Sequence, residues 1–146
     1  MMGTGENITK QDMRYLLPLE TRWSDNDQYG HLNNAVYYQL FDTAVNRFLL
    51  EHNLLDVQSG ETIFVVVETG CRYFAEIAYP EQVIAGLTIA HLGTSSLRYN
   101  VALFAGTDEQ AKAAGHFVHV NISRNSRKPS PIDTAKRAVF SQFMTG

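Results

Sequence analysis

One stretch of this 146-residue chain is helical by its spacing, and it is long enough to need a sheet around it. From Asn34 to about His52 the apolar residues Val36, Tyr37, Leu40, Phe41, Ala44, Val45, Phe48 and Leu49 recur three and four apart. Gln39, Asp42, Thr43, Asn46 and Arg47 take the opposite stripe. Roughly 18 residues at 1.5 Å each make a rod of about 27 Å. Its apolar stripe is wide enough to be wrapped rather than touched on one side. Asn33 and Asn34 are N-cap residue types, and Gly30 marks the turn that delivers the chain to the helix start.

The rest of the chain supplies the wrapping. Arg14–Trp23 reads as a strand with Tyr15, Leu17, Leu19, Thr21 and Trp23 on one side. After a loop over Asn53–Glu61, the apolar run Ile63–Val67 leads into ETGCRYF as a buried strand. Residues 75–82 connect strands, since Pro80 does not suit a central ladder. Val83–Leu92 and Ser96–Ala105 flank a Gly93-Thr94 turn, and Ala111–Ser123 is the last strand after a turn at Gly106–Glu109. A short closing helix starts from an N-cap at Asp133 and carries Lys136, Val139, Phe140 and Phe143. One strand, one long helix and then a run of strands predicts an α+β class with a mainly antiparallel, curved sheet on a central helix. Residues 1–13, polar and without period, are expected to form a flexible tail, with 14–146 as a single domain.

Composition narrows the function. A net charge of −3 offers no basic field for nucleic acid, and no apolar run approaches the roughly 18 residues that cross a bilayer. The single cysteine, Cys71, cannot form an internal disulfide, and no leader pattern opens the chain, so a cytoplasmic protein is expected. Cys71 reads as a small buried hydrophobe. His116 and His119, three apart on a strand, point to opposite faces and leave no metal site. Glu68 and Arg72 share a strand face, where they contact a substrate, a facing subunit or only each other.

The chemistry centres on Asp27. A helix N-terminus offers unpaired N–H groups and about half a positive charge, which suits a developing oxyanion. A carboxylate held just upstream across a glycine turn can work on a carbonyl resting there. Asp27 then serves as general base on water or as nucleophile, while a first-turn amide near Asn34 polarises the carbonyl. An EF-hand loop begun at Asp25 fails, because Tyr29 and Val36 stand where oxygen ligands belong.

The run RWSDNDQYGHLNNAVYY resembles the signature of the 4-hydroxybenzoyl-CoA thioesterase-like acyl-CoA thioesterases. That pattern is an aromatic, Asp-x-Asp-x-x-Gly, an Asn-containing stretch and a Tyr on the following helix. The resemblance implies the hotdog fold and places the catalytic carboxylate on Asp27 and the helix-start amide near Asn34. It implies that His31 and Asn33 shape the pocket, that Tyr37 faces substrate, with Glu68 a candidate contact from its strand face, and that Arg124, Arg127 and Lys128 meet the phosphates of coenzyme A. Coenzyme A would be part of the substrate, with no separate cofactor. Pocket length would depend on Tyr37, Phe41, Phe64, Tyr73 and Tyr99. Pairing into a homodimer or homotetramer, with sites between subunits, is implied as well. Two alternatives stay open: a non-catalytic acyl-thioester binding module, and a hotdog hydratase or dehydratase. The hydratase run Asp-x-Asn-Pro-x-His is not matched, since here the histidine follows the acid by four residues with no proline between.

Overall fold

A computed structural model describes residues 8–145. The helix α1 runs over Asn34–Glu51 and buries Tyr37, Leu40, Phe41, Ala44, Val45, Phe48 and Leu49, which is the stripe its spacing predicts less Val36. Asn33 caps it, its side chain accepting a hydrogen bond from the Ala35 amide at 2.9 Å.

Five strands form one sheet: β1 (Tyr15–Leu19), β2 (Thr62–Tyr73), β3 (Val83–Leu92), β4 (Ser96–Ala105) and β5 (Ala113–Ser123), in the order β1-β3-β4-β5-β2. Every pairing is antiparallel. Alternation decides the faces. Leu97, Tyr99, Val101 and Leu103 of β4 and Val83, Ala85, Leu87 and Ile89 of β3 turn inward to the helix and are buried. Gly115 of β5 lets the helix approach, because a Cβ there would lie 2.9 Å from the Phe41 ring and overlap the Gly70 carbonyl. Ladder irregularities at Val66/Glu68 and Ile89/His91 mark where the sheet bends. This is the α+β hotdog architecture, a curved antiparallel sheet around one long helix. A second helix, α2 (Thr134–Ser141), closes one end with Phe140 fully buried.

Most boundaries agree with the sequence reading to within about two residues, and two differ by more. β1 stops at Leu19 instead of Trp23. The Asp25 carboxylate accepts hydrogen bonds from the Arg22 amide (2.7 Å) and guanidinium (3.1 Å), winding 23–25 into a 3-10 turn that leaves Trp23 80% exposed. The expected tail is folded from residue 8 onward, while residues 1–7 lie outside the described residues. Ala111 donates to the Ile8 carbonyl at 2.9 Å, and Ile8 packs on Ala102, Phe104 and Ala114 on the sheet face away from α1. That end of the outer face is apolar and needs a cover, which a reading of the polar residues 1–13 in isolation does not reveal. Among the described residues no helix is long and apolar enough to cross a membrane.

Candidate active site

The acidic stretch before α1 folds into a tight turn held by its own backbone. Asp27 donates to the His31 carbonyl (2.8 Å), Gly30 donates to the Asp27 carbonyl (3.1 Å), and Gly30 takes a positive φ of 86°. Asp25 is structural: its carboxylate is spent on Arg22, it is 4% exposed, and its carbonyl accepts from Asn33 at 2.9 Å. Two bonds tie the turn to the segment after β2, from Leu32 N–H to the Ile77 carbonyl (2.8 Å) and from Tyr79 N–H to Asn26 Oδ1 (3.0 Å). The result is a cavity of about 370 Å³ lined by Asp27, His31, Leu32, Asn34, Tyr37, Tyr73, Phe74, Ala75 and Glu76.

Asp27 uses one oxygen for the turn and keeps the other free of it. Oδ1 accepts from the Tyr29 amide at 2.8 Å, while Oδ2 lies 3.7 Å from His31 Nδ1. His31 Nε2 is in turn 3.6 Å from Glu76 Oε1, so the imidazole stands between two carboxylates. At the helix start, Ala35 N–H is capped by Asn33 Oδ1 and Val36 N–H bonds the Asn33 carbonyl. No acceptor is found among the described residues for the Asn34 N–H. Tyr73 closes the apolar wall, its hydroxyl donating to the Asn34 carbonyl at 3.2 Å and its ring edge-on to Tyr37 at 4.8 Å. Burial pushes the Tyr37 and Tyr73 phenols up, so both stay neutral beside the cavity. A carboxylate, an unpaired helix-start amide and an aromatic wall around one cavity can bind a planar carbonyl and deliver water to it.

The model for this architecture and motif matches residues 21–140 under the description thioesterase-like superfamily. The chain belongs to that superfamily. A solved structure of the PA5185 protein from Pseudomonas aeruginosa superposes with a TM-score of 0.91 at 43% identity, covering 94% of this chain and 96% of that one. Slr0204, a 1,4-dihydroxy-2-naphthoyl-CoA thioesterase from Synechocystis, shares the fold at a TM-score of 0.78 and 18% identity, over 87% of this chain and 95% of its own. An uncharacterised Bacillus subtilis protein, YsmA, is 23% identical over 82% of this chain and 80% of its own length.

Within this thioesterase-like frame the residues singled out from sequence divide. Asp27, His31, Asn34 and Tyr37 meet at the cavity. Asn33 does not line it, because its side chain is committed to capping α1. Glu68 lies on the face away from α1, 2.8 Å from His116 Nε2 and 3.9 Å from Arg98. Arg124 is a brace: its guanidinium donates to the carbonyls of Gly60 (2.6 Å), Val57 (2.8 Å) and Asp56 (3.2 Å). Arg127 and Lys128 are exposed beside the Thr62–Ser123 end of the β2–β5 ladder, whereas Tyr73 pairs Ala113 at the other end. Eleven residue steps along β2, from Thr62 to Tyr73, separate those ends, roughly 36 Å at about 3.3 Å each. Of the residues expected to set pocket length, Tyr73 lines the cavity, but Phe41 and Tyr99 are core and Phe64 stacks on His119. Leu32, Phe74, Ala75 and Glu76 line it without having been foreseen. They were hidden because Phe74 reads as the end of a strand and 75–82 as a connection, and only the bonds that link Ile77 to Leu32 and Tyr79 to Asn26 bring that segment beside the turn.

Proposed function

We propose that this protein hydrolyses acyl-CoA thioesters to the free acid and coenzyme A. The observation that carries the reading is that Asp27 and the unpaired Asn34 N–H share one cavity with an aromatic wall. The thioester carbonyl rests on the Asn34 amide at the positive end of α1, where charge developing on oxygen is stabilised. Asp27 Oδ2 takes a proton from water, or attacks the carbonyl carbon itself. On the first route the hydroxide adds to the carbonyl carbon and the C–S bond breaks, the thiolate leaving with the proton that Asp27 took. On the second the C–S bond breaks to leave an acyl–Asp27 anhydride, which water hydrolyses to the free acid while supplying the thiol proton. His31 borders the water side, and Tyr37 and Tyr73 flank the acyl group. Support from relatives is that one structural neighbour is named a 1,4-dihydroxy-2-naphthoyl-CoA thioesterase.

A basic loop that meets CoA phosphates in this reading comes from a second copy. β2 is an edge strand with Val66 and Val67 exposed. Antiparallel pairing of two such edges brings the Arg127–Lys128 loop of one copy toward the Tyr73 end of the other. The test of the chemistry is thiol release from a panel of acyl-CoA esters by wild type, Asp27→Asn and Asp27→Ala. A loss on the order of 10²- to 10⁴-fold in kcat is expected for both variants. Undiminished turnover in both would remove Asp27 from the reaction, and saturable binding without thiol release would favour the binding-module alternative.

A further inference from the structure

The charges around the cavity say something about the acyl group, an inference that rests on the thioesterase reading above. Of the side chains lining the cavity, Asp27 and Glu76 are carboxylates and His31 is the only potential cation; no lysine or arginine is among them. The ion pairs of both carboxylates, among the described residues, are with that one imidazole, at 3.7 and 3.6 Å. Asp27 is needed for chemistry. Glu76 is not explained by it, and among the described residues no lysine or arginine pairs with it.

The position of Glu76 is fixed rather than accidental. Just before it, Phe74 and Ala75 both donate to the Lys112 carbonyl, at 2.8 and 3.1 Å. Just after it, Ile77 is fully buried and its carbonyl accepts from Leu32 at 2.8 Å. With its backbone anchored on both sides, Glu76 borders the cavity at its mouth, its side chain 77% exposed and 3.6 Å from His31, while the apolar wall of Tyr37, Tyr73 and Phe74 lies within. We infer that Glu76 is a specificity determinant: it rejects acyl groups that carry their own carboxylate and leaves uncharged acyl groups as the substrates.

The size of the effect follows from Coulomb's law. Two like charges about 6 Å apart in a largely solvated medium repel enough to change a rate constant about three- to tenfold. Salt weakens the effect, since the Debye length falls from ~10 Å at 0.1 M to a few ångströms near 0.5 M.

The experiment compares kcat/KM for uncharged esters (benzoyl-CoA, hexanoyl-CoA) with carboxyacyl esters of similar size (succinyl-CoA, glutaryl-CoA), in wild type, Glu76→Gln and Glu76→Lys. Glu76 is exposed, so neither variant threatens the fold. The expected result is a preference for uncharged esters that shrinks about three- to tenfold in Glu76→Gln, shrinks further in Glu76→Lys and fades near 0.5 M salt. An unchanged preference overturns the inference. So does an equal gain for both ester classes, which would mean that Glu76 faces the CoA phosphates common to all of them. If wild type hydrolyses none of the esters, the hydrolase reading fails by itself. The same charge preference is then read from calorimetric binding of the four esters, where its absence again overturns the role of Glu76.

Discussion

His119 sits in the core among aromatic rings, with centroids 5.0 Å from Phe117, 5.5 Å from Phe64 and 5.6 Å from Tyr99. It is 2% exposed, and its Nδ1 has no protein partner. Burial pulls its pKa down from 6.5 to about 4. The folded protein therefore holds this imidazole neutral where the unfolded chain would already bind a proton. Its stability is intact above about pH 6.5 and is lost as pH falls toward 4, by about 3 kcal/mol from this group alone. Urea unfolding at pH 7 and pH 4.5 should show the drop in wild type and a smaller one in His119→Phe, which keeps an aromatic ring at the site, slightly larger than imidazole, and removes the titrating group. Equal drops in both proteins would assign the acid sensitivity to other groups. At Asp27 the same scale gives a different outcome: one oxygen braces a turn and the other does not, so under the proposed mechanism its replacement by Asn should cost turnover far more than stability.

Among the elements, the loop between α1 and β2 shows how a residue read as a ligand contact becomes a brace. The Arg124 guanidinium collects three carbonyls from residues 56–60, and its amide donates to the Glu61 carbonyl at 2.9 Å. Hydrogen bonds to a charged donor are worth more than neutral ones, so Arg124→Met should destabilise the fold by roughly 1 to 3 kcal/mol in denaturant melts. KM for acyl-CoA should change little; a large KM increase without loss of stability would restore Arg124 to phosphate binding. This loop also shows what the sequence makes legible. The helix stripe, its Asn33 cap and the Asp27–Gly30 turn were readable because each is decided within a few residues by period, cap chemistry or a positive φ. Glu76 at the cavity, Ile8 on the sheet and Arg124 over the loop were not. Each depends on a partner far along the chain, such as His31, Ala111 or Gly60, and no local period encodes such a pairing.

For the whole molecule, the unsolved question of an isolated subunit is its β2 edge. β2 is the longest strand, pairs only β5, and has a bulge at Val67 with Val66 46% and Val67 58% exposed. A long apolar edge of unpaired N–H and C=O groups is an invitation to another strand, and monomeric proteins blunt such edges with lysine, proline or a covering loop. Among the described residues no lysine, proline or covering loop protects residues 66–69, which are all exposed and carry only the Val67 bulge and the Glu68 charge against pairing. Two copies joined edge to edge would bury it and give each cavity a second copy's Arg127 and Lys128. Val67→Lys adds the charge that blocks edge pairing, so sedimentation should shift its mass from dimer, or a multiple of it, toward monomer. KM for acyl-CoA should rise in the same variant, because the phosphates lose a basic loop, and Arg127→Ala with Lys128→Ala should raise KM without changing the mass. A wild type that sediments as a monomer while fully active would leave the edge without its proposed partner and the phosphates without this loop.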